Sequence, residues 1–234
     1  MNYFWSSFKA IFVKDVVTEL RAKRVLPTMI LLGMLIVWIL RIASEASPES
    51  AAVFGSAALW IAFLFSGLLA QERSFATEQH QDCIYGLLLA PVDVGTIFLA
   101  KLLVNVVILC IFEIIIVPVV FLLFRIGPPS SWPGLFVVLL LGNIGISGIG
   151  TLFSAIVQFG ASLLSIVVLV IFLPMMVPAT LALLLLFGVG LEQLPPSGAL
   201  AAVGSFKTAV GCLAAFDAVF TTACWLLFGF VIQE

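Results

Sequence analysis

The sequence predicts an all-α integral membrane protein with six transmembrane helices and an amphipathic helix in front of them. Its 234 residues are 63% hydrophobic and only 9% charged, whereas soluble domains are about half apolar and about a quarter charged. Apolar runs of the roughly 20 residues that a span needs recur along the chain. Helices are the default because lipid offers backbone polar groups no partners, and the runs are too long for the strands of a β-barrel. The six spans are expected at about 26–43, 51–70, 97–124, 134–157, 161–187 and 206–232.

Residues 1–25 are expected to form an amphipathic helix in the membrane interface, ahead of a transmembrane domain of residues 26–234. Its apolar residues recur at helical spacing, and most charged residues lie on the other face. The simpler interpretation is an anchor that fixes the angle of the first span. The alternative is a link from a cytoplasmic partner into the membrane. The apolar positions are Phe4, Trp5, Phe8, Ile11, Phe12, Val16 and Leu20.

The distribution of Lys and Arg predicts the orientation, because positive residues favour the cytoplasmic side. With the N-terminus inside, seven of them fall in inner segments and Arg41, Arg125 and Lys207 in outer segments. Both termini are therefore expected in the cytoplasm.

Motifs for enzymatic chemistry are missing from the sequence. It contains no phosphate-binding GxxxxGK[ST] loop and no GxSxG, HExxH or GxGxxG motif. Its four cysteines form no CxxC pair and are expected to be free thiols. A net charge of −2 gives no indication of the basic surface that binds nucleic acid. We therefore expect that the chain is not an enzyme and holds no cofactor or metal.

The five tryptophans are expected mostly at the membrane interfaces.

Two acidic residues lie inside predicted spans, where charge is costly and often functional. Glu113 lies near the middle of the third span and Asp217 inside the sixth. One interpretation is a carboxyl hydrogen-bonded to Ser, Thr or Asn of a neighbouring helix. The other is a polar lining of a substrate path or of a subunit interface. In the fourth span, the glycines of GNIGISGIG (142–150) favour close helix packing, with a hinge as the alternative.

One polar segment, residues 71–101, separates the second and third spans. Its pattern predicts an amphipathic helix at about 71–90, parallel to the membrane and ended by Pro91. Asp93 is expected to cap the next helix through its side chain. Such a helix is a docking element through which a partner could move two spans together; a linker that only closes the loop is the alternative.

The sequence resembles the permeases of ABC-2-type exporters and, more narrowly, the heme exporter protein B (CcmB) family. The stretches that carry the resemblance are FKAIFVKDVVTELRAKR (8–24), LLAQERSFATEQHQDCIYGLLLAPVDVGTIFLAK (68–101) and SLLSIVVLVIFLPMMVPA (162–179).

The resemblance implies a permease subunit of cytochrome c-type biogenesis in a bacterial inner membrane. ATP would be bound by a separate CcmA-like subunit, heme would be handled by a CcmC-like membrane subunit, and a small CcmD-like subunit would be a further partner. The coupled step would be heme delivery or release of a heme-loaded CcmE-like chaperone, and a second copy of the chain would be a further partner. The residues placed at the docking surface for the ATPase are Glu72, Arg73, Phe75, Thr77, Glu78 and Asp82.

Two other functions fit the same features. One is an ABC-2 permease that exports a glycan, a lipid or a drug. The other is a membrane scaffold for assembly that transports nothing. In a scaffold, changes in the 71–90 helix would leave ATP hydrolysis coupled.

Overall fold

The computed structural model describes residues 2–22, 25–44, 50–79, 93–158, 164–189 and 204–233. Helices account for nearly all of these residues, as the apolar composition predicts for a chain in lipid. In chain order they are α1 (Asn2–Ala22), α2 (Val25–Ala43), α3 (Ala51–Gln79), α4 (Val94–Phe124), α5 (Trp132–Gln158), α6 (Leu164–Leu186) and α7 (Phe206–Gln233).

The helices confirm the predicted all-α membrane fold. Within the described residues, five helices contain stretches long and apolar enough to cross a membrane, in α2, α3, α4, α5 and α7. A sixth apolar stretch, Val170–Leu186 in α6, is shorter. Each predicted span overlaps one of the helices α2 to α7, so the chain is a multi-pass membrane protein.

Helix α5 lies at the centre of the bundle, where it packs against α3, α4, α6 and α7. Its glycines make this possible. A Cβ at Gly142 would meet the Trp60 ring of α3, and a Cβ at Gly145 would lie 2.5 Å from Asp217 Oδ1 of α7. Small residues let helices approach closely in lipid, so the glycines of α5 serve the packing that the sequence predicts.

Helix α1 packs mainly against α4. Ile11 is buried, and Phe8, Phe12 and Val16 pack against the core. Trp5 and Leu20 are 63% and 43% exposed, so the predicted apolar face is divided between protein and surroundings.

Trp60 is an exception to the predicted interfacial tryptophans. It is 1% exposed in the middle of α3 and packs edge-on against Phe63, 5.7 Å away between ring centroids. Gly142 leaves the space that its ring fills. The other four tryptophans are 42–63% exposed, and they are Trp5, Trp38, Trp132 and Trp225.

Arg41 joins the ends of α2 and α4. Its Nε donates a 2.7 Å hydrogen bond to the backbone carbonyl of Leu123, in the last turn of α4. Its guanidinium also lies over the Phe124 ring, 5.8 Å from the centroid. Carbonyls at a helix C-terminus lack intrahelical partners and carry partial negative charge, so a cation is well placed there.

The C-terminal end of α3 and the N-terminal end of α4 differ from prediction in two respects. Helix α3 runs without interruption from Ala51 to Gln79, so residues 71–79 continue the second span. The rest of the 71–90 segment lies outside the described residues. Asp93 stands at the N-cap of α4, but its side chain makes no cap hydrogen bond. Its backbone carbonyl accepts from the Thr96 N–H at 2.9 Å instead.

Candidate functional site

A row of polar side chains follows one face of α5. Asn143, Ser147 and Thr151 are all 0% exposed, and Ser154 is 6% exposed. Successive members are three or four residues apart, so they share a face. Two hydroxyls are satisfied within the helix, because Thr151 Oγ1 donates to the Ser147 carbonyl at 2.7 Å and Ser154 Oγ to the Thr151 carbonyl at 3.0 Å.

Helix α4 presents its own polar side chains to this row. Asn105 Nδ2 donates to Thr151 Oγ1 at 3.0 Å. Two turns further out, Asn143 Nδ2 donates to the thiol of Cys110 at 3.5 Å. The carboxyl of Glu113 lies beside Asn143, although its Oε1 has no hydrogen-bond partner. One predicted intramembrane acid therefore lies next to an amide of a neighbouring helix.

Helix α3 adds Gln71 to the same cluster, beside Gly150 of α5. This side chain is 2% exposed, and its Nε2 donates to the Ile146 carbonyl at 3.0 Å. A Cβ at Gly150 would collide with the Gln71 amide, so α5 admits Gln71 only because residue 150 is glycine. We call the combined set the polar seam, which comprises Gln71, Asn105, Cys110, Glu113, Asn143, Ser147 and Thr151.

The second predicted acid, Asp217, lies in a different place. It is 5% exposed, and neither carboxylate oxygen has a hydrogen-bond partner. It faces Gly145 of α5, and Met175 of α6 reaches the same point, with its Sδ 2.7 Å from where a Gly145 Cβ would be. One turn along α7, Thr221 Oγ1 faces Gly148 and also has no partner.

Glu113 and Asp217 do not form a common two-acid site. Glu113 lies beside Asn143 and Asp217 beside Gly145. Two residues apart on a helix means about 200° of rotation, so the acids approach α5 from nearly opposite sides.

The predicted docking residues fall at the end of α3. Glu72, Arg73, Phe75, Thr77 and Glu78 lie within this helix, beyond the stretch Ala51–Gln71 that is apolar enough to span a membrane. Asp82 lies outside the described residues. The docking role stays a prediction.

An ion pair between α1 and α4 was not predicted from the sequence. Lys101 of α4 is 2% exposed, and its Nζ lies 3.4 Å from Asp15 Oδ2 of α1. Asp15 Oδ1 also lies 3.2 Å from Lys14 Nζ. The available signal was a lysine inside an otherwise apolar run, which requires an anionic partner when it is buried.

The arrangement provides hydrogen-bonding groups inside a helix bundle rather than a reaction centre. Among the residues described, no group of three or more His, Cys, Asp or Glu side chains is placed to hold a metal ion. The polar seam joins α3, α4 and α5, and so links the helices on both sides of the predicted docking segment.

Comparison with known proteins identifies one family. A family model described as CcmB protein matches residues 6–223, nearly the whole chain. No curated protein matches the chain at a significant level.

Proposed function

Because the chain belongs to the CcmB protein family, we propose that this permease of cytochrome c maturation is driven by ATP hydrolysis in a separate subunit. The driven step is delivery of heme, or release of the heme-loaded chaperone, on the outer side of a bacterial inner membrane. The observation that carries the proposal is the family match over residues 6–223.

In this proposal the protein has the ABC-2-type permease fold, and both termini face the cytoplasm. The ATP-binding subunit docks on the segment at about 71–90, including Glu72, Glu78 and Asp82. The continuity of α3 supports this, since a single helix from Ala51 to Gln79 would transmit a movement of the docking segment into the membrane.

The polar seam offers a physical route by which that movement of α3 would reach α5 and α4. Gln71 binds α5 at the Ile146 carbonyl, and Asn105 of α4 binds α5 at Thr151. Hydrogen bonds between helices in lipid contribute on average about 0.6 kcal/mol each. A displacement of α3 therefore meets resistance from α5. Part of the displacement is transmitted through α5 to α4.

The remaining partners follow from the same assignment. A CcmC-like membrane subunit handles the heme, a small CcmD-like subunit accompanies it, and a CcmE-like chaperone receives the heme. A second copy of the chain, or another membrane subunit, completes the permease core. Heme is cargo in this scheme and is held by those partners.

Affinity co-purification in mild detergent tests the proposal. The tagged wild-type protein is compared with a variant in which residues 71–90 are scrambled, and partners are identified by mass spectrometry beside an ATPase assay. We expect an ATP-binding subunit and heme-handling proteins with the wild type only. An ATPase without heme-handling partners would favour export of another substrate, and no ATPase in either sample would favour a scaffold.

A further inference from the structure

Lys101 is an unusual residue for the inside of a membrane helix. It lies two turns into α4, and 2% of its side chain is exposed. A buried ammonium loses its hydration, and in proteins it keeps its charge only where an anion or hydrogen-bond acceptors replace the water.

An anion is supplied by a different helix, 86 residues earlier in the chain. Asp15 Oδ2 of α1 lies 3.4 Å from Lys101 Nζ, and the Asp15 side chain is itself only 14% exposed. Water therefore screens this pair little, in contrast to a surface pair.

Apolar contacts surround the pair on α1. Ile11 is 8% exposed, and Phe8, Phe12 and Val16 pack on the core. Phe8 and Phe12 are stacked, with ring centroids 6.1 Å apart. Apolar contacts of this kind are less directional than an ion pair. A buried ion pair between two defined positions therefore favours one register of α1 on α4.

We propose that the Asp15–Lys101 ion pair is a positioning element: it holds α1 against α4, so that the two helices move as one body during the ATP-driven cycle. The activity part of this inference rests on the proposed function, whereas the docking of α1 does not. Lys101 is then a positioning residue that acts through α4 and touches no cargo.

Lys14 supplies a matched control for the pair. It contacts the same Asp15 carboxylate at 3.2 Å, but its side chain is 52% exposed. Exposed pairs contribute little because solvent screens them, so removing Lys14 is expected to leave α1 docked while removing Lys101 is not.

The first experiment measures docking with the purified protein in lipid nanodiscs. Hydrogen exchange of amides in residues 8–19 is followed by mass spectrometry. We expect Lys101→Met and Asp15→Asn to raise the exchange rate at least tenfold, and Lys101→Arg and Lys14→Gln to stay within about twofold of the wild type. Equal rates in Lys101→Met and Lys101→Arg would overturn the proposal.

The second experiment measures coupling in cells that assemble the complete complex. Cytochrome c formed and ATP hydrolysed by isolated membranes are compared at equal amounts of inserted protein. We expect Lys101→Met to retain ATP hydrolysis but to form at least fivefold less cytochrome c per ATP, and Lys101→Arg to restore the ratio. An unchanged ratio in Lys101→Met, with α1 released in the first experiment, would overturn the positioning role.

A control separates this failure from failure of the proposed function. If deletion of the whole chain leaves cytochrome c formation unchanged, the proposed function is wrong, and the docking result still stands on hydrogen exchange alone. If deletion abolishes cytochrome c and Lys101→Met does not lower the ratio, only the inference about the ion pair fails.

Discussion

The side-chain amide of Asn105 donates to the hydroxyl of Thr151 at 3.0 Å, between two helices and out of contact with solvent. Thr151 Oγ1 in turn donates a hydrogen bond to the Ser147 carbonyl at 2.7 Å. The three groups form a short chain that fixes the register of α4 on α5.

Removal of either partner should weaken the bundle. We expect Asn105→Leu and Thr151→Val each to lower the free energy of unfolding by about 1 kcal/mol, since a buried partner is left unsatisfied. A double-mutant cycle should give a coupling energy between about 0.6 and 1.7 kcal/mol. Unfolding in mixed micelles of increasing SDS content measures these values. Thr222→Val is the control, because the exposed Thr222 bonds only to Ala218 of its own helix.

Gly142 should not tolerate a methyl group. In Gly142→Ala the new Cβ would overlap the ring of Trp60, a large rigid side chain that is 1% exposed. Overpacking of a filled interior costs about 1–3 kcal/mol, so the midpoint of SDS unfolding should fall. Gly211→Ala on the exposed side of α7, where no atom lies within 4 Å, should not lower that midpoint, since alanine is the better helix former. If both variants behave alike, α3 and α5 are not packed as described.

Arg41 should not be replaceable by lysine. Its Nε bonds to the Leu123 carbonyl at 2.7 Å while its plane covers Phe124, and an ammonium cannot reproduce this planar contact. We expect Arg41→Lys to lower the free energy of unfolding by about 1.5–3 kcal/mol, as for hydrogen bonds to charged groups. Arg125→Lys serves for comparison, because Arg125 is exposed at the end of the same helix. Equal losses in both would show that a general effect of arginine is being measured.

Charge reversal in the docking segment should uncouple the permease without removing it from the membrane. We expect Glu72→Lys and Glu78→Lys to lower co-purification of the ATP-binding subunit at least fivefold, because each places a cation where the partner meets an anion. Immunoblots of the membrane fraction report insertion. Lys207→Glu, expected on the outer side, is the matched reversal and should retain the partner. Full recovery of the partner with both glutamate variants would make the docking assignment wrong.

The sequence was sufficient for the helices and insufficient for their contacts. Long apolar runs predict α2 to α7 because lipid leaves the backbone no alternative, and the glycines around Gly145 predict close packing. The partner of each glycine could not be predicted, since Trp60 for Gly142 and Asp217 for Gly145 depend on how distant helices are arranged.

The polar residues show the same division. Glu113 and Asp217 were identified because charge is rare in membrane spans, but the side of α5 that each approaches depends on helix rotation. The pairing of Lys101 with Asp15 joins positions 86 residues apart. A single sequence does not indicate which residues so far apart in the chain come into contact. The uninterrupted α3 was also missed, because the polar residues after Ala70 end the apolar run but do not end the helix.

In the proposed coupling, the single helix from Ala51 to Gln79 would act as a lever that pivots at Gln71, whose side chain is hydrogen-bonded to the Ile146 carbonyl of α5. At 1.5 Å per residue, the inner arm from Gln71 to Gln79 is about 12 Å long and the outer arm from Ala51 to Gln71 about 30 Å. A sideways movement of about 2 Å at the inner tip would therefore swing the far end by about 5 Å. In that proposal, a modest displacement of the Gln79 end would become a displacement as large as one helical turn at the Ala51 end.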